Sequence, residues 1–182
     1  MVFHYTQYLH LAMAFHDNPQ RVLFIGLGGG STPRRFHRDY PTLRIDVAEL
    51  DPEVVSVAKR YFMFQESERM RAQAVDGRIF LQKTPHRYDV IVLDAYYADA
   101  IPFHLSTREF FQELKAKLTP TGILVSNIIG SVRGNDSKLF RSILKTLQTE
   151  FPQTYVFPVD EVSNIIVIAT QEKERLGKQE VL

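Results

Sequence analysis

Short apolar runs recur along the chain, and most are separated by segments whose apolar positions follow the 3.6-residue period of a helix. The apolar runs predict strands at residues 21–26, 44–49, 71–75, 88–94, 122–129, 153–158 and 164–170. The periodic segments predict helices at about residues 3–16, from Thr32 onward, at 51–62, from Arg78 onward, at 106–118 and at 135–151. Strands that alternate with helices form a mostly parallel sheet with helices packed on both faces.

The last two apolar runs differ from the others because no helix-forming segment separates them. Only residues 159–163 lie between, which is enough for a turn between two antiparallel strands. Seven strands that end in such a hairpin are typical of nucleoside-dependent transferases, whereas the dinucleotide-binding form of this architecture has six parallel strands. We therefore predict an α/β fold of the nucleoside-dependent transferase type.

The first strand ends in a glycine-rich turn that is typical of nucleoside binding. The apolar run continues into Gly26, Gly28 and Gly30, and Glu49 closes the next strand about 20 residues later. Glycine lets a ligand approach the backbone closely, and a carboxylate at this interval can accept both hydroxyls of a ribose. The spacing predicts a nucleoside site, and the alternative for Glu49 is a solvated strand end.

Polar residues also stand where the later strands end, and ligands bind beyond these carboxyl ends in a parallel sheet. Asp76, followed by Gly77, is placed either to accept an adenine amino group or to cap the next helix. Asp94 precedes the long aromatic segment 95–105, which is typical of a general base beneath a lid, although a turn-forming aspartate has the same pattern. Asn127 lies near the end of the fifth strand.

Composition narrows the classes of partner. The 22 Lys and Arg residues nearly cancel the 21 Asp and Glu residues, so no overall positive field favours nucleic acid or an anionic membrane. The chain has no Cys, and its six His residues show no spacing typical of zinc, so we expect neither disulfides nor a metal. Residues 1–16 resemble neither a signal peptide nor a membrane span. These features predict a cytoplasmic protein.

Length and periodicity predict one nucleoside-binding domain over residues 1–170, including an N-terminal helix, followed by a charged tail over 171–182. Apolar residues recur at helical spacing along that helix: Tyr5, Tyr8, Leu9, Ala12 and Phe15. Such a stripe predicts either a homodimer contact or packing against the sheet of the same chain.

An ordered set of motifs resembles one known family. The motifs are the glycine turn, Glu49-Leu50-Asp51-Pro52, Asp76-Gly77-Arg78-Ile79-Phe80, Tyr88-Asp89-Val90-Ile91, Asp94 and Leu105-Ser106-Thr107-Arg108-Glu109-Phe110-Phe111. Together they cover about residues 3–170 and resemble the spermidine synthase (polyamine aminopropyltransferase) family. The resemblance is strongest to its divergent bacterial branch, which has a similar Asp-Ala-aromatic loop leading to an Ile-Pro-x-His-Leu-x-Thr segment.

The resemblance implies a fold in more detail. It implies a Rossmann-like seven-stranded sheet of the S-adenosylmethionine-dependent methyltransferase type, mostly parallel with a C-terminal antiparallel hairpin and with helices on both faces. Because the sequence starts just ahead of the first helix, we do not expect the N-terminal hairpin domain that family members carry.

The resemblance also implies transfer of an aminopropyl group from decarboxylated S-adenosylmethionine to an amine such as putrescine. It assigns approach to the donor to Gly26, Gly28 and Gly30, the ribose contact to Glu49, the adenine contact to Asp76 with Gly77, and the role of general base to Asp94. These residue types suit the reaction, because an alkylammonium becomes nucleophilic only after it loses a proton, which a carboxylate can accept.

The positions that hold amino groups in the family differ in this chain. Gly29 stands where family members have an acid in the glycine turn. Tyr97 stands where they have a second acid after the base, and Asp99 could substitute for that acid. The Tyr-x-Glu motif of the first helix reads Tyr5-Thr6-Gln7. The candidates for acceptor contacts are therefore Tyr5, Gln7, Tyr97 and Asp99.

Two other functions remain as alternatives. A methyltransferase that uses intact S-adenosylmethionine has the same fold, although Phe24 stands where such enzymes usually have an acid. A non-catalytic nucleoside-binding or interaction module would explain the acids that are missing, yet Glu49 and Asp94 are retained. A nicotinamide dehydrogenase is disfavoured because Ser31 replaces the third glycine of the dinucleotide motif.

Overall fold

The computed structural model describes residues 4–16, 18–96, 101–134, 137–159 and 162–172. Its strands are β1 (Arg21–Ile25), β2 (Arg44–Glu49), β3 (Met70–Ala74), β4 (Tyr88–Leu93), β5 (Leu118–Ile129), β6 (Gln153–Pro158) and β7 (Asn164–Thr170). Its α-helices are α1 (His4–Tyr8), α2 (Ser31–Asp39), α3 (Pro52–Tyr61), α4 (Gly77–Lys83), α5 (Arg108–Ala116) and α6 (Lys138–Gln148). Short 3-10 helices cover Leu9–Ala14 and Phe103–Leu105.

The strands form one sheet in the order β3-β2-β1-β4-β5-β7-β6. Strands β1 to β5 pair in parallel, and β7 runs antiparallel to both β5 and β6. This arrangement confirms the predicted seven-stranded, mostly parallel sheet with a C-terminal hairpin. It adds that β7 inserts between β5 and β6.

Two predicted elements differ from the structure in ways that affect the fold. β5 begins at Leu118 rather than at the predicted residue 122, because Leu118 pairs with Tyr88 and a shift in register accommodates the turn-like Thr-Pro-Thr-Gly sequence within the strand. The N-terminal segment is not one α-helix, since α1 ends at Tyr8 and a 3-10 helix follows. Leu9 and Ala12 are three residues apart, the period of a 3-10 helix, so both are buried.

Helices cover both faces of the sheet, as predicted. One face buries residues of α4, α5 and α6, including Phe80, Phe110 and Ile143. The opposite face buries residues of the N-terminal segment, α2 and α3, including Phe36 and Ala58. β1 and β4 lie side by side between these layers and are almost completely buried, so the core positions their ends from both sides. None of the described helices is long and apolar enough to cross a membrane.

The turn after β1 packs closely against the end of β4. Gly26 has a φ of 101°, and its N–H donates to the Ala48 carbonyl at 2.8 Å. A Cβ at Gly26 would lie only 2.2 Å from the backbone oxygen of Asp94. Only glycine fits both this conformation and this space, so the turn is held between β2 and β4.

We expect Gly26→Ala to destabilise the fold by roughly 2–5 kcal/mol, because it combines a left-handed non-glycine residue with an overlap against backbone. Gly134→Ala is the matched control, since Gly134 has a φ of 76° but no atom of the described residues lies within 4 Å of a Cβ there. The control should lose only about 1–2 kcal/mol. Urea unfolding followed by circular dichroism measures both losses. Equal losses would show that the contact with Asp94 does not contribute.

Candidate active site

The carboxyl ends of the central strands meet around the glycine turn. β1 has β2 on one side and β4 on the other, so the strand order reverses here, where open α/β sheets bind their ligands. The Asp94 N–H donates to the Ile25 carbonyl at 2.9 Å and extends the pairing of β4 with β1. The predicted site residues Gly26, Glu49 and Asp94 therefore lie along one edge of the sheet.

Asp94 follows β4 directly, and its carboxylate contacts two side chains in the part of the chain that the structure describes. Asn127 Nδ2 donates to Asp94 Oδ1 at 2.8 Å. The Tyr5 hydroxyl oxygen lies 3.5 Å from Asp94 Oδ2, at the outer limit of a hydrogen bond. The structure thus brings the predicted candidates Tyr5 and Asp94 together. Neither contact supplies a positive charge, so the carboxylate is oriented without being neutralised.

Asn127 is itself held in place by more distant parts of the chain. Its side chain is buried, and its Oδ1 accepts a hydrogen bond from Asn164 Nδ2 at 3.0 Å. Its backbone carbonyl accepts a hydrogen bond from the Tyr96 hydroxyl. With Oδ1 occupied by Asn164, the amide presents its Nδ2 to Asp94. The sequence analysis placed Asn127 at a strand end without a role, included Tyr96 only as part of the aromatic segment 95–105, and did not identify Asn164.

The surroundings of Asp94 shift several pKa values upward. Burial raises the pKa of the Asp94 carboxyl, and the hydrogen bonds from Asn127 and Tyr5 offset this only in part. Burial and the nearby Asp94 charge also raise the pKa of Tyr5 and of Tyr96. Both phenols are therefore protonated at neutral pH, and Asp94 binds a proton more readily than an exposed aspartate does.

Glu49 uses both carboxylate oxygens to hold backbone around the glycine turn. Oε2 accepts from the Leu27 N–H at 2.8 Å, and Oε1 accepts from the Asp51 N–H at 3.1 Å. Each carboxylate oxygen can accept two hydrogen bonds, so capacity for two further donors remains. Glu49 is therefore not a freely solvated strand end, and its orientation is fixed before any ligand binds.

Asp76 caps α4 and also contacts the segment that follows β4. Its Oδ1 accepts from the N–H groups of Arg78 at 2.9 Å and Ile79 at 3.0 Å. Its Oδ2 lies 2.8 Å from His104 Nε2. Burial acts to raise the pKa of Asp76, but the hydrogen bonds from Ile79 and His104 outweigh burial and lower it. The helix-capping alternative is thus present, and the adenine contact stays a prediction.

Arg78 fixes the backbone of the same segment. Its guanidinium forms two hydrogen bonds with the Glu113 carboxylate, at 2.9 and 2.6 Å, and a third with the His104 carbonyl at 3.2 Å. Two-point pairing of this kind holds both side chains in one orientation. As a result α4, α5 and the 3-10 helix that contains His104 are joined at the rim of the site.

The glycines predicted to bind the donor have different surroundings. Gly28 has a φ of 52°, and no neighbouring atom of the described residues lies within 4 Å of a Cβ there, which leaves space for a ligand. A Cβ at Gly30 would lie 2.7 Å from Phe64 Cδ2, and one at Gly77 would lie 2.4 Å from Ile25 Cγ2. Packing within the protein therefore requires Gly30 and Gly77, whereas Gly28 is open to a ligand.

The remaining acceptor candidates are not placed at Asp94. Gln7 is exposed on α1, and residues two apart on a helix point to different faces, so Gln7 does not accompany Tyr5 to the carboxylate. Tyr97 and Asp99 lie outside the described residues. Contacts of these three residues with an acceptor stay predictions.

The apolar stripe of the N-terminal segment packs on its own chain. Leu9 and Ala12 are fully buried, and Tyr5, Tyr8 and Phe15 pack against the same cluster. This is the second of the two alternatives that the stripe left open. A homodimer stays a prediction without an assigned surface.

No group of three or more metal-ligating side chains lies close enough together to hold an ion in the part of the chain that the structure describes. Some of the histidines have other partners. The His10 ring lies 4.4 Å from the Phe36 ring, and His37 Nε2 lies 2.9 Å from Ser67 Oγ.

The chain is similar in sequence to two groups of transferases. It is 37% identical over 170 residues to the polyamine aminopropyltransferase of Vibrio vulnificus (strain CMCP6), and the aligned residues cover 90% of this chain and 55% of that protein. It is 31% identical over 177 residues to the eEF1A lysine and N-terminal methyltransferase of Mus musculus, and the aligned residues cover 91% of this chain and 25% of that protein. The chain thus spans about half the length of the first relative and a quarter of the second.

A solved structure and a family profile agree with these relatives. The chain matches human methyltransferase-like protein 13 in complex with SAH with a TM-score of 0.88 and 27% identity, over 99% of this chain and 88% of that chain. This match confirms the Rossmann-like methyltransferase-type fold. The family profile described as the spermine/spermidine synthase domain matches residues 2–180. The chain therefore belongs to the spermine/spermidine synthase domain family.

Proposed function

We propose that this chain transfers an aminopropyl group from decarboxylated S-adenosylmethionine to a small-molecule amine, with Asp94 as the general base. The observation that carries the proposal is the Asp94 carboxylate beside the glycine turn, which Asn127 and Tyr5 orient without neutralising its charge. Membership of the family and 37% identity to a polyamine aminopropyltransferase support it.

The donor nucleoside would lie across the carboxyl ends of β1, β2 and β3. Glu49 would accept the ribose hydroxyls, the open space at Gly28 would admit the sulfonium side of the donor, and Asp76 would accept the adenine amino group. Two large apolar side chains near these acids are exposed, Leu50 at 59% and Ile79 at 40%. Apolar side chains beside a few polar groups are the usual lining of a nucleobase site.

The reaction is a single displacement at carbon. The lone pair of the acceptor nitrogen attacks the aminopropyl carbon bonded to sulfur, so a C–N bond forms while the C–S bond breaks. The electron pair of the broken bond returns to the sulfonium sulfur, which leaves as a neutral thioether and needs no general acid. The proton of the acceptor amine passes to Asp94. Alignment of nitrogen, carbon and sulfur supplies most of the remaining acceleration.

The environment of Asp94 suits this proton transfer. Burial raises the pKa of its carboxyl, which brings the base closer to the pH at which it must accept a proton. The Asn127 amide leaves Oδ2 of Asp94 facing Tyr5 rather than a cation. A positively charged amine would therefore be attracted to a carboxylate that forms no ion pair with any described residue.

Methyl transfer from intact S-adenosylmethionine to an amine is the second candidate. The match to methyltransferase-like protein 13, with a TM-score of 0.88 over 88% of that chain, favours it. Against it, Phe24 occupies the position where such enzymes usually have an acid, and its side chain is buried in the core beside Phe36. Both candidates use a sulfonium nucleoside, an amine and the same base, so the donor distinguishes them.

We expect the protein to bind decarboxylated S-adenosylmethionine at least about tenfold more tightly than the intact donor, a difference of about 1.4 kcal/mol. Calorimetric titration with each donor measures this preference, and mass spectrometry of reactions with putrescine and other small amines identifies the product. Preference for the intact donor together with a methylated product would establish the second candidate instead. Binding without any product would favour a nucleoside-binding module.

We expect Asp94→Asn to lower kcat by roughly a hundredfold to ten-thousandfold, the usual contribution of a general base. Donor affinity should stay nearly unchanged, because Asp94 contacts the acceptor and not the nucleoside. Glu49→Gln is the matched control, an equally small change from carboxylate to amide at the other end of the site. It should weaken donor binding about tenfold or more, the usual effect of losing hydrogen bonds to a charged group. Unchanged turnover in Asp94→Asn would exclude Asp94 as the base.

The raised pKa of Asp94 also predicts a pH-dependent gain in stability for Asp94→Asn. The native state holds the Asp94 proton more tightly than the unfolded chain, so wild-type stability falls as the pH rises from below about 4 through the native pKa. The asparagine variant has no such loss, and it should become more stable relative to wild type between about pH 4 and pH 7. Urea unfolding at both pH values measures the difference.

Asp76→Asn is expected to have the opposite pH dependence. The pKa of Asp76 is lowered, so its ionised form stabilises the native state above about pH 4, and this contribution is lost as the pH falls through the native pKa. Asparagine still caps the helix but carries no charge toward His104. The variant should therefore be less stable than wild type at about pH 7 and approach it in acid. Parallel profiles for both variants would contradict the two pKa shifts.

A further inference from the structure

The sheet face beneath α4 carries charged residues where a covered face should be apolar. Arg44 and Asp46 of β2 project to the same side as Ala48, which lies in the core with α4. On β3, Arg71 and Gln73 project to the side of Val75, which packs against the same core. α4 is only seven residues long. The helix α4 therefore covers the carboxyl half of β2 and β3 and leaves the amino half of these strands open.

This open part of the face forms a cavity of about 600 Å³. Its cationic lining residues are Arg21, Arg44, Arg69, Arg71 and Lys83, and His86 also lines it. Its acidic lining residues are Asp46 and Glu68. The volume lies within the usual range for small-ligand sites, about 300–1,000 Å³. Positive charge therefore dominates a concave surface at the amino ends of β1, β2 and β3, the opposite end of the strands from Asp94.

Contacts within the protein use only part of this positive charge. Arg21 NH1 pairs with Asp46 Oδ2 at 3.0 Å, and Asp46 also accepts a hydrogen bond from the Tyr88 hydroxyl. Arg69 NH1 donates to the Leu43 carbonyl, which carries no full charge. Among the described residues, the ion pairs include neither Arg44 nor Arg71. The cavity keeps an excess of guanidinium groups.

Protection of an exposed sheet edge explains only one of these arginines. β3 is an edge strand, and charged side chains on edge strands prevent pairing with other chains. Arg71 fits that purpose. Arg21 and Arg44 lie opposite each other on β1 and β2, which are both interior strands with partners on each side. Asp46 pairs with Arg21 and limits the repulsion between the two cations, but the ion pairs of the described residues do not include Arg44. A bound anion would supply the partner that Arg44 lacks there.

We propose that this cavity binds a multiply charged oligophosphate, either free or as the phosphate chain of a nucleotide. Guanidinium groups pair with phosphate oxygens through two parallel hydrogen bonds, and several arginines around one cavity match a chain of phosphates better than a single ion. Arg44 and Arg71 are the principal contacts, while Arg21 stays anchored by Asp46. This site is separate from the proposed donor site and does not depend on the proposed function.

The test is calorimetric titration of the intact chain with sodium tripolyphosphate at about 50 mM and about 200 mM sodium chloride. We expect saturable binding that weakens several-fold at the higher salt, because the cavity is open and its charges are screened. Pyrophosphate should bind more weakly and orthophosphate more weakly still. Absence of saturable binding at low salt would overturn the proposal, as would equal affinity for all three anions.

The variant Arg44→Gln/Arg71→Gln should lose about tenfold or more of the tripolyphosphate affinity. Lys138→Gln/Lys145→Gln on α6 removes the same charge from exposed positions outside the cavity and should retain binding. Equal losses of affinity in the two variants would show that tripolyphosphate binds to diffuse surface charge and would overturn the proposed site. Thermal unfolding without ligand confirms that both variants fold.

A parallel titration with ATP distinguishes the two sources of the phosphate chain. Tighter binding of ATP than of tripolyphosphate, lost in Arg44→Gln/Arg71→Gln, would identify a nucleotide site. Tighter binding of tripolyphosphate would identify a site for the free oligophosphate. ATP binding that survives the double substitution belongs to the donor site and would count against this cavity as a nucleotide site.

Discussion

The close approach of the Gly26 turn to the backbone of Asp94 is the constraint on which the candidate site depends. β1 and β4 are neighbours at the point where the strand order reverses, and the turn fits there only because Gly26 has no side chain. The same turn is tied to β2 by the hydrogen bond to the Ala48 carbonyl and by Glu49, which accepts from Leu27. The absence of a Cβ at Gly26 therefore lets the ends of β2 and β4 meet at one turn, and these ends carry Glu49, the proposed donor contact, and Asp94, the proposed base.

Asp94 illustrates the balance between stability and reactivity in this fold. Its carboxylate is partly buried and has no cationic partner among the described residues, an arrangement that costs stability and raises the pKa. Asn127 limits this cost by donating one hydrogen bond from its uncharged amide, and Asn164 of the antiparallel strand β7 holds Asn127 in place. A salt bridge in place of Asn127 would stabilise the carboxylate more and would lower its ability to accept a proton.

The two ends of the sheet differ in charge, although the chain as a whole is close to neutral. At the carboxyl ends, Glu49, Asp76 and Asp94 gather around the glycine turn. At the amino ends of β1, β2 and β3, arginines line the cavity in the part of the sheet face that α4 leaves uncovered. Strand direction produces this separation, because all three strands run the same way and the residues that begin them share one edge. A net charge of +1 conceals the separation, so composition alone predicts no anion site.

Local sequence determined the positions of the strands, the glycine turn and the acids at the strand ends. The apolar periodicity and the interval from Gly26 to Glu49 are visible within short stretches of sequence. Parallel strands end on the same side of a sheet, and this places Asp94 beside Gly26 and Glu49. The extent of β5 was not predictable from Thr-Pro-Thr-Gly, because only pairing with Tyr88 accommodates a turn-like sequence within a strand.

Tertiary structure alone decided the partners of those acids. Asn164 reaches Asn127 because β7 inserts between β5 and β6, and His104 reaches Asp76 because Arg78 and Glu113 join α4 to α5. These contacts join residues far apart in sequence, which no local pattern encodes. The basic cavity has the same origin, since it exists only where the short helix α4 leaves two neighbouring strands uncovered.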